Sequence, residues 1–412
     1  MKEGDDVELI KLAVVFALIL GLINKKVNLG LAMIIGSILM AFFFRMSVSE
    51  TLATFVTTLT SVSTLQTAAA LTLIMILEYL MRQKKMLEKI VEALNGLIRD
   101  YRLVMPVPPV FMGLLPSAGG ALFSASMVSN ACGDHVMSAE RKGVINFWYR
   151  HIWECVLPLY PSLIIASEVI GVPMNQFIQN TYPFTVMAIL LGLPYLMYQM
   201  KKDTADCDHH DTAAQEKSTL RNMKKLLEGV LPILIILLVF FLLKFPLWIS
   251  LLIVVLPMML SMKLKLKEIP GFIKASVSFK IIVILAGIMI FKDMLEVSGA
   301  VDILVSQMTE WGISVIALSI LLPFAVGFFT GLSQAFVAIA FPILLGMMPQ
   351  TDLSLMALAH VSGFAGIMVS PMHLCLVLTA DFFSARMGKM IAMMTPPLLF
   401  MVSAGWLMVQ TQ

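Results

Sequence analysis

Ten stretches of this chain stay apolar for about the length of a membrane crossing: 9–24, 28–44, 65–81, 143–167, 176–198, 227–243, 246–262, 279–296, 356–382 and 389–409. A helix needs about 20 such residues to span the hydrocarbon core of a bilayer. Inside that core every backbone polar group must be bonded internally. The chain is therefore expected to be an all-α, polytopic membrane protein. Composition agrees, with 59% hydrophobic and only 13% charged residues, where a soluble domain carries about 25% charged. A water-soluble fold of 412 residues could not cover that much apolar surface. The net charge of +3 is scattered and gives no footprint for nucleic acid. Cys132, Cys155, Cys207 and Cys375 show no paired spacing. The start, MKEGDD, is acidic and runs directly into the first apolar stretch, which reads as a span rather than a cleaved leader.

Two more apolar stretches, 103–132 and 313–348, are punctuated by Pro and Gly and read as re-entrant helical hairpins, at about 103–135 and 313–350. In residues 82–102, Met86, Ile90, Val91 and Leu94 recur at helical spacing among charges, the pattern of an interfacial amphipathic helix. Residues 200–225 are polar and read as a linker; its DCDHHD run has no helix to fix ligands, so it is a solvated loop rather than a metal site. With the N-terminus outside and the ten spans alternating, 22 of the 29 Lys and Arg residues fall on the inner side, and only Lys2, Lys11, Arg45 and Lys244 on the outer. The positive-inside rule then places both termini outside the cell inner (plasma) membrane and 200–225 in the cytoplasm.

The chain also repeats itself. At an offset of 214, PPVFMGLLPSAGGALF (108–123) lies over LPFAVGFFTGLSQAFV (322–337), matching Pro109 to Pro323 and Gly113 to Gly327. LIMILEYL (73–80) falls within 285–295 at that offset, with Glu78 opposite Lys292, and one residue less aligns Pro158 with Pro371. Residues 1–199 and 226–412 are thus expected to be two repeats of five spans. An odd number of spans inserts the second upside down, the signature of secondary transporters.

The repeat marks the candidate site. Non-helical backbone at membrane depth survives only where it is buried or lines a cavity. The hairpin tips, Pro116–Gly120 and Thr330–Gln334, are candidates to hold substrate through Pro116, Ser117, Ala118, Gly119, Gly120, Thr330, Gly331, Ser333 and Gln334. Glycine lets backbone amides approach a ligand, and a following helix N-terminus favours an anion. The alternative is that these small residues simply permit close helix packing. After each hairpin a span is broken by proline, at Pro158 and Pro161 and at Pro371, which frees the carbonyls of Glu154 and Ile367. Freed carbonyls and hydroxyls suit a cation, so Ser117, Glu154, Pro158, Ser333, Val369 and Ser370 form the candidate cation set. Ionisable residues within spans are expensive and functional by default. They are Arg150, His151 and Glu154, then His360, His373 and Asp381. Arg150 is the candidate counter-charge for an anion, although Glu154 four residues on can neutralise it along one helix face. Ser370 and His373, beside the second break, complete the substrate set.

These features, and the segment PVPPVFMGLLPSAGGALFSASMVSNA in particular, resemble the ion transporter superfamily of secondary carriers, and within it the membrane family catalogued as domain of unknown function 401. The resemblance implies that hairpin tips and helix breaks line the substrate and sodium sites. It also implies that the hairpin domain moves as an elevator against a scaffold that forms a homodimer. Sodium-coupled dicarboxylate carriers of that superfamily hold a Ser-Asn-Thr triplet at each tip, where this chain has PSAGG and TGLSQ. The expected function is ion-coupled (Na⁺ or H⁺) uptake of a small organic anion, with no enzymatic activity, no cofactor, and Na⁺ as candidate coupling ion. A cation/proton antiporter is the alternative. An intramembrane hydrolase using Ser333 with His360 or His373 is a remote one.

Overall fold

The computed structural model describes residues 3–86, 89–90, 92–93, 104–114, 120–132, 137–197, 212–263, 265–348 and 350–411. Among them the chain is all-helical, with 19 α-helices and no strands. The first half holds α1 (Glu3–Asn24), α2 (Leu29–Phe43), α3 (Val48–Thr60), α4 (Val62–Gln83), α5 (Val107–Gly113), α6 (Gly120–Cys132), α7 (Ala139–His151), α8 (Pro161–Ile170) and α9 (Met174–Met197). The second holds α10 (Thr212–Phe241), α11 (Leu247–Ser261), α12 (Ile269–Ser276), α13 (Phe279–Val297), α14 (Ala300–Glu310), α15 (Val315–Thr330), α16 (Ser333–Gly346), α17 (Leu353–Met368), α18 (Leu374–Phe383) and α19 (Met387–Gln410).

Two helices, α4 and α19, are long and apolar enough to cross a bilayer, and the bent pair α12–α13 makes a third if it is one span. Eight more apolar helices run for 10–17 residues. Large apolar side chains stand outward on the surface, among them Phe42, Leu190, Leu260, Leu321 and Leu399. An exterior of this kind is costly in water and suits hydrocarbon, so the chain is compatible with a membrane-embedded protein.

The expected spans 143–167 and 356–382 are each split. The first becomes α7, a 3₁₀ turn at Ile152–Cys155, and α8; the second becomes α17, an irregular turn, and α18. Proline is the cause, since it cannot donate to the helical ladder, whereas Pro161 suits the first position of α8, where no donor is needed. Other expectations shift. Residues 212–225 of the expected linker are the first half of α10, and 200–211 lie outside the described residues. Most of 82–102 also lies outside them, although residues 86, 89–90 and 92–93 are helical. Helices α3 and α14 lie outside every stretch anticipated from the apolar pattern. Glu78 pairs with Arg82 at 2.6 Å, one turn along its own helix.

Helix boundaries in the two halves run in step. Helices α8 and α9 match α18 and α19 in length, 10 and 24 residues, with both bounds 213 residues apart. Helix α2 recurs as α11, 218 residues on, both with 15 residues. Left-handed backbone recurs too, at Lys26 and Lys244, Arg45 and Lys263, Lys85 and Gly299, and Gly171 and Ser384. The packing falls into two groups. Helices α1, α2, α4, α10, α11 and α13 pack mainly among themselves, while α5–α9 interleave with α15–α19; α4 against α8, α13 against α8 and α16, and α1 against α15 join the two groups. In the second group each half crosses into the other: α6 and α7 meet α18, and α16 meets α8. Helix α17 is buried at every residue from Ser354 to Met368 and α7 from Gly143 to His151, so the two helices that precede the breaks form the middle of the molecule.

Candidate functional site

The site is built where one hairpin meets both helix breaks. Helix α15 ends at Thr330, Gly331 takes left-handed backbone (φ 64°), and α16 starts two residues later at Ser333. Thr330 Oγ1 accepts a hydrogen bond from the Leu332 amide (3.3 Å), which closes the turn. A side chain at Gly331 would stand 2.7 Å from the His373 nitrogen and the Met372 carbonyl carbon, so the tip lies directly on the second break. The His373 ring fixes that contact, with Nδ1 2.9 Å from the Gly331 oxygen. Ser370 Oγ donates to the Phe328 carbonyl at 2.5 Å and accepts from the Met372 amide at 3.1 Å. On the other side Ser333 Oγ donates to Glu154 Oε2 at 2.8 Å, which ties the tip to the first break.

Carbonyls at the first break are taken by protein groups, as burial demands. Thr185 Oγ1 donates to the Ile152 oxygen at 2.9 Å and His360 Nε2 lies 3.2 Å from the Glu154 oxygen, while Tyr160 Oη, at the end of the break, donates to the Gly113 oxygen of α5 at 2.6 Å. The carbonyl expected to be open for a cation at Glu154 is therefore occupied by His360. The Ile367 carbonyl likewise accepts the Ser370 amide at 3.2 Å. The Glu154 carbonyl is met by a side chain from α17, whereas the Ile367 carbonyl is met by the turn that follows its own helix.

A cavity of about 300 Å³ opens between these parts. Arg150, Gly331, Ser333, Gln334 and His373 of the expected substrate set line it, together with Glu154 of the cation set. Three helix N-termini reach it: α8 with Pro161 and Ser162, α16 with Ser333 and Gln334, and α18 with Leu374 and Cys375. Each directs the positive end of a helix dipole at the cavity wall. Among the described residues the buried Ser162 hydroxyl has no hydrogen-bond partner. The carboxylate of Glu154 is held by Ser333 on one oxygen, and its other oxygen lies 4.0 Å from His151 Nε2.

Not every expected residue arrives there. Thr330, Pro158, Val369 and Ser370 sit close by in the chain but do not line the cavity. Gly120 is buried at the start of α6, also away from its wall, and Pro116, Ser117, Ala118 and Gly119 lie outside the described residues. The sequence left Tyr160, Ser162, Leu332 and Cys375 out of the candidate site and marked His151 only as an ionisable residue within a span, yet all five line the cavity. A usable signal existed, because Tyr160–Ser162 and Cys375 are the first residues after each break. A helix restarting after a break points its N-terminus, and hence its first side chains, at whatever the break surrounds.

The chain matches the family described as "Protein of unknown function (DUF401)" over residues 8–411, nearly its whole length. No curated protein matches it.

Proposed function

We propose that this chain, which belongs to the DUF401 family, is a secondary transporter that carries a small organic anion across the plasma membrane, coupled to Na⁺ or H⁺. The observation that carries the reading is the convergence of three helix N-termini and Arg150 on one cavity. Aligned amides and a guanidinium in a confined, partly dry space favour a carboxylate or a similar anion. A volume of about 300 Å³ suits a small molecule. The partnerless Ser162 hydroxyl supplies a further ligand contact.

The step-for-step helix boundaries and left-handed positions of the two halves support an inverted repeat of five spans each, with α5–α6 and α15–α16 as re-entrant hairpins. The close approaches repeat as well: Gly113 lies against the Arg150 oxygen and Gly327 against the Gly363 oxygen. The two packed groups of helices fit a scaffold, through which two copies of the chain pair, and a moving hairpin domain, the parts an elevator requires. Ser333 and Glu154 remain the cation candidates of this reading. That Ser333 donates to Glu154, and not to a histidine, weighs against the hydrolase alternative.

The test is a thermal-shift screen of the purified protein against mono-, di- and tricarboxylates and phosphonates, in Na⁺ and in choline buffer. A ligand that binds only the folded state stabilises it by about 2.7 kcal/mol at a hundred times its Kd. One anion class should raise the midpoint in the wild type and fail to do so in Arg150→Ala. If no anion shifts the midpoint, or Arg150→Ala responds like the wild type, the anion reading is wrong.

A further inference from the structure

We propose that His151, His373 and Cys375 form a binding site for a divalent transition-metal ion of the Zn²⁺ class, opening on the cavity. Their ligating atoms all lie within 4.8 Å of one another. The inference rests on which way the two rings are wired. His151 Nδ1 lies 2.6 Å from the Phe147 oxygen, and His373 Nδ1 lies 2.9 Å from the Gly331 oxygen. A carbonyl oxygen only accepts, so each Nδ1 carries the hydrogen. In a neutral ring that leaves the lone pair on Nε2, and the two Nε2 atoms face each other at 3.1 Å. Two lone pairs cannot bond to one another. A cation between them resolves the conflict.

The geometry fits a metal. Two imidazole nitrogens on one tetrahedral ion, each at about 2.0–2.1 Å, stand roughly 3.3 Å apart. A backbone carbonyl on Nδ1 is also the usual outer partner of a ligating histidine, fixing the tautomer and the ring plane. A shared proton would need only the two nitrogens. Here a third donor is in place, the soft sulfur of Cys375, and soft thiolate with imidazole selects Zn²⁺ and its neighbours over Na⁺, Mg²⁺ or Ca²⁺. Glu154 Oε1 lies 4.0 Å from His151 Nε2. All three donors line the cavity, so the fourth coordination position faces it. The site stands on this coordination geometry and does not depend on the transport reading.

Cobalt(II) is the probe. It takes the same ligands as zinc and reports them optically. Full-length protein in detergent, incubated with Co²⁺ and passed through gel filtration, should retain one ion per chain and show visible ligand-field bands with a sulfur-to-cobalt charge-transfer band in the near ultraviolet. Zn²⁺ should displace it. Cys375→Ser should lose the charge-transfer band, and His373→Gln should weaken retention at least tenfold while eluting as a monodisperse peak. A second measurement needs no variant: saturating Zn²⁺ should slow maleimide alkylation of Cys375 in the wild-type chain at least tenfold, read by mass spectrometry of its peptide. No retained Co²⁺, a charge-transfer band that survives Cys375→Ser, or unchanged alkylation with Zn²⁺ would each overturn the proposal.

Discussion

Gly331 and Gly312 share the same left-handed backbone, φ 64°, but not the same surroundings. Around Gly312 an added Cβ meets nothing within 4 Å, whereas at Gly331 it would come within 2.7 Å of the Met372 and His373 backbone. Alanine at either position incurs the strain of a left-handed L-residue, about 1–2 kcal/mol. At both it recovers about 0.4–1 kcal/mol through the unfolded chain. Gly312→Ala should therefore cost about 0–1.6 kcal/mol. Gly331→Ala carries the same balance and a clash besides. The atoms it strikes are backbone, which cannot swing aside as a side chain does, so overpacking adds about 1–3 kcal/mol. Reversible unfolding of both variants by SDS titration in mixed micelles measures the difference. Gly331→Ala should be the less stable by about 1–3 kcal/mol, and its hydrogen bond from His373 should suffer with it. Equal losses at the two glycines would refute the claim that the hairpin tip is pressed against the second break.

Further outcomes follow from the same contacts. Ser333→Ala deprives the buried Glu154 carboxyl of a donor at 2.8 Å and should cost about 1–3 kcal/mol, the range for leaving a buried acceptor unsatisfied. In Glu154→Ala the same substitution should cost less by 1 kcal/mol or more, as a double-mutant cycle reads it, and strict additivity would dissolve the link. Tyr160→Phe removes only the hydroxyl that holds the Gly113 carbonyl, so stability should fall by about 1–3 kcal/mol with the elution profile unchanged. For the topology, cysteine at Thr212 should react with impermeant maleimide only from the cytoplasmic side and cysteine at Thr411 only from outside. Labelling of both from one side would remove the inverted repeat.

Local backbone chemistry was legible in the sequence. A proline has no amide hydrogen wherever it is placed, so the interruptions at Pro158 and Pro161 and at Pro371 were set before any packing, and the helices do restart there, at Pro161 and Leu374. The all-helical class followed in the same way from apolar runs that leave the backbone no partner but itself. The turn at Gly331 was readable from the one residue type that takes left-handed backbone without strain. Helices α3 and α14 were not, since their apolar residues are too few and too interrupted to stand out beside the spans.

What meets what was decided by tertiary structure alone. His151 and His373 are 222 residues apart, Ser333 and Glu154 are 179 apart, and His360 reaches the Glu154 carbonyl across 206. Periodicity reports which face of a helix is buried, but not which helix from the other half lies against it. Here α18 packs on α7 and α16 on α8, and that crossing brings a histidine of the first break to a histidine and a cysteine of the second. The open carbonyl expected at Glu154 closed for the same reason. An unpaired backbone oxygen in a dry interior draws in whatever donor the packing delivers, and the packing delivered His360.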